Sequence, residues 1–206
     1  MSKPANEPTV FIVDDDAGVR DSVAALIESY GFATEVFASG TAFLQQMTAG
    51  RRGCVLLDIR LPDMTGLMVQ AKLRELGFNQ PVIMITAFAD VPLAVAAMRA
   101  GAADFLEKPY ADDVLIAAVR MALARAEAVA SVDAQMARIT ARLAQLTPRE
   151  REVLDRLLAG RQNKQIAHDL GISPRTVEIH RARVMEKMQA GSLSELVRVV
   201  LTVRRQ

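Results

Sequence analysis

Residues 10–15 read Val-Phe-Ile-Val-Asp-Asp, and residues 54–58 read Cys-Val-Leu-Leu-Asp. Each stretch is a short apolar run that ends in carboxylates, a pattern that predicts a buried strand of a parallel sheet. In an open sheet of this kind, ligands bind where the carboxyl ends of neighbouring strands meet. We therefore expect Asp14, Asp15 and Asp58 to converge at one edge of the sheet.

Two further apolar runs end in other polar groups. Residues 82–85 read Val-Ile-Met-Ile before Thr86, and residues 103–107 read Ala-Asp-Phe-Leu-Glu before Lys108. A single strand-terminal Asp often does no more than start a turn, and that interpretation remains open for each one alone. The ordered set instead predicts a phosphoryl site, in which Asp58 is the nucleophile while Thr86 and Lys108 contact the phosphoryl oxygens.

Three carboxylates in one pocket repel one another, and a bound cation relieves that repulsion. Magnesium prefers carboxylate, carbonyl and water oxygens and commonly binds beside phosphoryl groups. The sequence therefore predicts a site for Mg²⁺ (or Mn²⁺) with Asp14, Asp15 and Asp58 as side-chain ligands.

The first 124 residues alternate between predicted strands and predicted helices. The strands are expected at 10–14, 33–37, 54–58, 82–86 and 103–107, and the helices at 17–30, 41–49, 66–76, 91–100 and from 111 onward. Gly31, Gly50, Gly77 and Gly101 each follow a predicted helix, as left-handed caps do. Five βα units in this order predict a parallel sheet covered by helices on both faces.

Charge divides the chain of 206 residues into two parts. The net charge is only +1, yet residues 141–206 carry 13 Lys or Arg and 7 Asp or Glu. A basic part predicts a polyanionic partner, and the acidic remainder predicts a cation site. We predict domains at 8–124 and 141–206, joined by a helical linker at 125–140 because its Ala-rich composition favours helix. A flexible loop is the alternative for the linker.

Composition excludes several classes of protein. No apolar stretch approaches the roughly 20 residues that cross a bilayer, and the first nine residues lack an apolar signal core, so we expect a cytoplasmic protein without a membrane partner. Cys54 is the only cysteine, which excludes an internal disulfide. We predict that Cys54 fills space in a strand, with a redox role as the less favoured alternative.

The basic part carries start and stop patterns for four short helices. Residues 147–150, Thr-Pro-Arg-Glu, combine a capping hydroxyl, an early proline and an acid three residues after the cap. The spacing of Ala167, Gly171 and Val177 is typical of a helix-turn-helix, which presents its later helix to the major groove of DNA. A plain helical bundle is the alternative.

Several motifs resemble those of two-component signalling proteins. Residues 13–16 (Val-Asp-Asp-Asp), 57–66 (Leu-Asp-Ile-Arg-Leu-Pro-Asp-Met-Thr-Gly), 85–88 (Ile-Thr-Ala-Phe) and 105–110 (Phe-Leu-Glu-Lys-Pro-Tyr) resemble a receiver domain. The later half resembles an output domain of the NarL/LuxR type. Over nearly the whole chain the sequence is similar to FixJ-type regulators. One departure is Ala-Phe-Ala at 87–89, where close relatives often carry Gly-His-Gly.

The resemblance implies a flavodoxin-like five-stranded parallel receiver followed by an all-α, four-helix helix-turn-helix domain. It implies a two-component response regulator and transcription factor, phosphorylated on Asp58 by a partner sensor histidine kinase that is FixL-like. Phosphorylation would promote homodimerisation and promoter binding, with RNA polymerase as a further partner and nitrogen metabolism genes as targets. The protein would not be an enzyme beyond slow self-dephosphorylation.

The resemblance also assigns roles to individual residues. The backbone carbonyl of Arg60 would complete the metal site, and Thr86 and Phe105 would form the switch. From the sequence alone, Phe105 could equally be an inert core residue. The Lys108-Pro109 peptide bond would be cis.

Predicted DNA contacts lie on the third helix of the basic part and on the helix before it. The amino end and the basic side chains of the third helix would contact phosphates. By likeness to LuxR-type recognition helices, Glu178, Ile179 and Ala182 would face base edges. His180 has a packed or capping role as an equal alternative. The predicted set is Lys164, Ser173, Arg175, Thr176, Glu178, Ile179, His180, Arg181, Ala182 and Lys187.

Two other functions remain as alternatives at this stage. The first is a flavodoxin-like ligand-binding domain fused to a DNA-binding domain, although its phosphate loop would have to be the acidic stretch 14–18. The second is a phosphatase of the haloacid-dehalogenase type. Such an enzyme needs a second acid two residues after the nucleophile, where this chain carries Arg60.

Overall fold

The structure, a computed structural model, describes residues 8–48 and 50–204. The described residues divide into two compact units, one that ends at Ala130 and one that begins at Ser131.

In the described part of the first unit, five strands form one parallel sheet. They are β1 (Thr9–Val13), β2 (Ala33–Phe37), β3 (Gly53–Asp58), β4 (Val82–Thr86) and β5 (Asp104–Glu107). Their order across the sheet is β2-β1-β3-β4-β5. The strand order reverses between β1 and β3, so the crevice for a ligand lies where these two strands end. The predicted flavodoxin-like sheet is confirmed.

Helices pack on both faces of this sheet. They are α1 (Ala17–Ser29), α2 (Gly40–Gln46), α3 (Gly66–Glu75), α4 (Val91–Arg99) and α5 (Asp112–Ala144). Val10 and Ile12 face a core with α1 and α5, whereas Phe11 and Val13 face a second core with α2 and α3. Because alternate residues of β1 are buried on opposite faces, the strand reads as an unbroken apolar run.

One helix, α2, ends earlier than the sequence predicts. Helix α2 ends at Gln46, because Met47 turns into an extended conformation and buries its side chain in the second core. Gly50 therefore does not cap α2, although its φ is +90°. Helix α5 continues to Ala144, so residues 125–140 lie within it.

The described part of the second unit contains the end of α5 and four shorter helices. These are α6 (Pro148–Leu158), α7 (Asn163–Leu170), α8 (Pro174–Met188) and α9 (Leu193–Arg204). Thr147 and Glu150 form the predicted capping box at the start of α6. Gly171 closes α7 in the left-handed conformation that the turn requires. Ala167 and Val177 then pack in one buried cluster, as a helix-turn-helix needs.

Two findings bear on the excluded classes. Among the described residues, none of the helices has the length and apolar character needed to span a bilayer. Cys54 is fully buried in β3, and burial raises the pKa of its thiol to about 12. The thiolate is therefore suppressed at neutral pH, which agrees with a packing role.

Candidate functional site

The carboxyl ends of β1 and β3 bring two buried carboxylates to one ammonium group. The Nζ atom of Lys108, just after β5, donates to Asp14 Oδ2 at 2.6 Å and to Asp58 Oδ1 at 2.9 Å. Asp14 and Asp58 are 5% and 7% exposed. Three of the predicted site residues thus meet at the switch point of the sheet, and the Lys108-Pro109 bond beside them is cis.

The buried position of Asp58 makes its negative charge unfavourable. Burial raises the pKa of its carboxyl and Asp14 raises it further, while Lys108 and the backbone N–H of Arg60 act in the opposite direction. The net shift is upward. The Asp58 carboxylate is therefore a group whose negative charge a nearby cation would stabilise.

The two carboxylates stabilise the positive charge of Lys108. Burial acts to lower the pKa of its ammonium, but the bonds to Asp14 and Asp58 outweigh burial, so the pKa lies above the ordinary value. Lys108 therefore keeps its charge throughout the physiological range. Its geometry suits a point charge aimed at an anion beside Asp58.

The loop after β1 is held by a residue that sequence reasoning missed. Arg20 Nη1 donates to the backbone carbonyls of Asp14 and Asp15, at 2.7 Å and 2.8 Å. Asp16 caps α1 and donates its own N–H to Asp14 Oδ1 at 2.9 Å. The side chain of Asp15 stays exposed. The only sequence pattern that could have indicated Arg20 is its position in the first turn of α1, after the acidic loop.

Thr86 ends β4 and is 1% exposed. Its hydroxyl oxygen accepts a bond from the backbone N–H of Phe88 at 3.2 Å. The hydroxyl is thus bonded to its own loop in this structure rather than to Asp58. Phe105 lies half-buried on β5 and packs against the core that contains Met84.

The oxygen atoms available at the site are of the kind that bind a hard divalent cation. Asp15 and Asp58 offer carboxylates and Arg60 offers a carbonyl, and a site with few protein ligands leaves room for the waters that Mg²⁺ keeps. Both oxygens of Asp14 accept hydrogen bonds, from Lys108 and from Asp16, and both oxygens of Asp58 accept them from Lys108 and from Arg60, so each carboxylate would bind a cation through its remaining lone pairs. Within residues 8–48 and 50–204, no three His, Cys, Asp or Glu side chains are grouped closely enough to hold a metal ion by themselves.

Helix α8 presents the second candidate surface. Ser173 caps the helix by accepting from the N–H of Thr176 at 3.1 Å. Along one side the helix exposes a mixture of charged and apolar side chains, and Ile179 is 47% exposed. The exposed positions of α8 are Pro174, Arg175, Glu178, Ile179, Ala182, Arg183 and Glu186. Lys164 on α7 is also exposed.

Other predicted DNA contacts on α8 have partners inside the unit. Lys187 Nζ donates to the buried Glu150 at 2.7 Å and to the carbonyl of Gln145 at 3.2 Å. Arg181 donates to Asn163 Oδ1 at 3.4 Å. His180 is half-buried, and its Nδ1 has no hydrogen-bond partner within the described part of the chain. These placements favour the packed interpretation of His180.

Comparison with known families identifies both units. Residues 10–120 match the response regulator receiver domain, and residues 144–200 match the luxR family of bacterial regulatory proteins. The chain belongs to the response regulators. It is a FixJ-type regulator that combines a receiver domain with a LuxR-type DNA-binding domain, as the sequence predicts. Neither match favours the flavodoxin-like alternative.

Similar proteins cover almost the whole chain. The transcriptional regulatory protein FixJ of Rhizobium meliloti is 49% identical over 94% of this chain and 95% of its own length. The response regulator protein TodT of Pseudomonas putida is 40% identical over 92% and 84%. Among solved structures, the response regulator StyR is 37% identical, with a TM-score of 0.89 over 95% of this chain and 99% of its own. Full-length FixJ from B. japonicum is 43% identical, with a TM-score of 0.59 over 98% and 99%.

Proposed function

We propose that this response regulator accepts a phosphoryl group on Asp58 from a partner sensor histidine kinase. The observation that carries the proposal is the buried Asp58 carboxylate at the end of β3, with the Lys108 ammonium 2.9 Å from its Oδ1 atom. A carboxylate oxygen of Asp58 forms the new O–P bond while the N–P bond of the phosphohistidine breaks. The electron pair of that bond stays on the imidazole nitrogen of the kinase.

Lys108 and Thr86 assist this transfer in different ways. The Lys108 ammonium neutralises charge on the phosphoryl oxygens, and its raised pKa keeps it charged for this role. The Thr86 hydroxyl, whose oxygen accepts from the N–H of Phe88, donates its own proton to a phosphoryl oxygen. The protein acts as an acceptor rather than as an enzyme, with slow self-dephosphorylation as its only turnover.

Mg²⁺, or Mn²⁺ in its place, is the cofactor that this site would take. Asp14, Asp15, Asp58 and the backbone carbonyl of Arg60 would hold it, with Asp14 also accepting from Lys108. When bound, the cation supplies positive charge that neutralises the phosphoryl oxygens. The upward pKa shift of Asp58 supports this assignment, because burial, and to a smaller extent Asp14, make the ionised carboxylate costly and a bound cation would offset that cost.

The phosphoryl group would favour a homodimer. Movement of Thr86 leaves a space beside Phe105, and rotation of that ring would change the surface made by α4 and β5. This surface already exposes apolar side chains of α4, with Val91 76% exposed and Met98 49% exposed. Burial of these side chains against a second copy would contribute favourable free energy to the dimer.

The second unit would then bind promoter DNA in the cytoplasm and act together with RNA polymerase. We assign phosphate contacts to Lys164 and the amino end of α8, and base contacts to its exposed face. The similarity to FixJ proteins favours a FixL-like kinase and genes of nitrogen metabolism as targets.

The experiment is labelling of the protein with acetyl phosphate or a phosphorylated kinase in the presence of Mg²⁺. We expect one phosphoryl group per chain, labile to alkali and to hydroxylamine as an acyl phosphate is, and none in Asp58→Asn. Asp21→Asn, which removes an exposed carboxylate of α1, is the matched control and should label normally. Equal labelling of Asp58→Asn and the wild type would refute the proposal.

A further inference from the structure

Arg60 and Phe88 form a cation–π pair between two loops at the carboxyl edge of the sheet. The guanidinium carbon of Arg60 lies 3.9 Å from the centroid of the Phe88 ring. Arg60 follows β3, and Phe88 follows β4. The Phe88 side chain is 61% exposed, so the ring is held by this contact and not by burial in a core.

Each member of the pair is also bonded to one residue of the phosphorylation site. The backbone N–H of Arg60 donates to Asp58 Oδ2 at 2.6 Å. The backbone N–H of Phe88 donates to Thr86 Oγ1 at 3.2 Å. Asp58, Arg60, Phe88 and Thr86 are therefore connected in sequence by three contacts. The cation–π contact between Arg60 and Phe88 is the one that joins the loop of Asp58 to the loop of Thr86.

These contacts hold the Thr86 hydroxyl in one orientation. Its oxygen accepts from Phe88, and the ring of Phe88 is anchored on Arg60. The Thr86 oxygen can accept from the Phe88 N–H while its own O–H donates, but any displacement of that oxygen towards a phosphoryl group on Asp58 lengthens the bond from Phe88 unless the loop of Phe88 moves with it. Anything that holds Phe88 in place opposes this movement.

We propose that the Arg60–Phe88 pair is a clasp that holds the switch residues in their resting arrangement and sets the threshold for activation. The inference rests on the proposed role of Asp58 and Thr86. An exposed cation–π contact is worth about 0.5–1 kcal/mol, so loss of the clasp should shift the switch equilibrium about two- to five-fold towards the active arrangement.

The first test does not depend on phosphorylation. Hydrogen exchange of the Phe88 amide is measured in the unmodified full-length protein, in Arg60→Met, which keeps the alkyl chain, and in Arg60→Lys, which keeps a cation. We expect about two- to five-fold faster exchange in Arg60→Met than in the wild type, with Arg60→Lys between them. Thr86→Ala removes the acceptor and serves as the reference for an unprotected amide. Equal rates in the wild type and Arg60→Met would overturn the clasp.

The second test isolates the coupling between the two side chains. In a dimerisation assay neither single variant is decisive, because Arg60→Met also removes charge near Asp58 and Phe88→Leu also changes an exposed apolar surface. A double-mutant cycle removes both side effects. The measured quantity is the concentration of beryllofluoride that gives half-maximal dimer with Mg²⁺. We expect a coupling of about two- to five-fold, with Phe88→Tyr behaving as the wild type.

The outcomes separate the clasp from the function on which it rests. Strictly additive effects of the two substitutions would refute the clasp even if Asp58 is the acceptor. Labelling that persists in Asp58→Asn would refute the acceptor assignment, and the clasp would then be refuted as a control of activation whatever the exchange rates show.

Discussion

At the scale of single residues, the charge of Asp58 should reduce the stability of the protein. Its folded-state pKa lies above the ordinary value of 3.8, chiefly because of burial. The folded state therefore holds the proton more tightly than the unfolded state, and stability falls as pH rises from below the ordinary value through the folded one. We predict that Asp58→Asn increases the free energy of unfolding at pH 7.

The comparison is made by denaturant unfolding at pH 7 and again near pH 3, with a probe in the first unit. The advantage of Asp58→Asn should shrink at the lower pH, because the wild-type carboxyl is protonated there. Asp21→Asn should show no such advantage. A less stable Asp58→Asn at pH 7 would show that the ion pair with Lys108 outweighs the cost of burial.

Glu150 and Lys187 make a second residue-scale prediction, with the opposite sign. Burial acts to raise the pKa of Glu150, but its bonds to Lys187 and Thr147 outweigh burial and lower it. The pair therefore stabilises the second unit above the ordinary pKa of Glu and loses that contribution as pH falls through the lowered value. Lys187→Met should destabilise the unit by about 2–4 kcal/mol at pH 7, because it leaves a buried carboxylate without its cation.

The double variant Glu150→Gln/Lys187→Met is the control, because it removes both charges. It should regain part of the lost stability, as measured by hydrogen exchange in α6 and α8. The same variants test whether Lys187 contacts DNA. If DNA affinity recovers along with stability, the role of Lys187 is to support the fold, and the predicted phosphate contact is wrong.

At the scale of secondary structure elements, the sequence predicts the strands to within one residue. Because β1 and β3 are buried on both faces, each is a continuous apolar run that ends where the polar edge of the sheet begins. This pattern lies within a few consecutive residues, so the sequence shows it directly. The end of α2 is not local, because Met47 leaves the helix to fill the second core. The Thr86 orientation and the Arg60–Phe88 contact were also missed, since both depend on side-chain positions in a different loop.

Helix α8 should divide its DNA contacts between affinity and sequence preference. Arg175→Ala should weaken binding to all DNA sequences about equally and reduce the slope of log affinity against log salt by about 0.9. Ile179→Ala should instead weaken the preference for one base pair, by at most the roughly 1–3 kcal/mol that a mismatched base pair costs, and leave the slope unaltered. Lys72→Ala, which removes the same charge from α3 of the first unit, is the control. Identical behaviour of Arg175→Ala and Lys72→Ala would exclude the amino end of α8 from the interface.

At the scale of the whole molecule, acidic and basic parts carry separate tasks within one chain. The excess of acids before residue 141 suits a pocket that takes a cation and then a phosphoryl group. The excess of bases after it suits a polyanion. Because the net charge is only +1, the basic part provides the attraction to DNA locally, and salt should weaken binding steeply.

A dimer that reads two half-sites is the last consequence of this arrangement. If phosphorylation pairs two copies, their α8 helices should reach major grooves about one helical turn apart on one side of the duplex. An insertion of five base pairs between the half-sites should therefore reduce the affinity of the phosphorylated protein at least ten-fold, because it rotates one half-site by half a turn. An insertion of ten base pairs restores the rotation and should recover part of the loss. Asp58→Asn should bind each half-site weakly and respond to neither insertion, because a monomer does not sense their spacing.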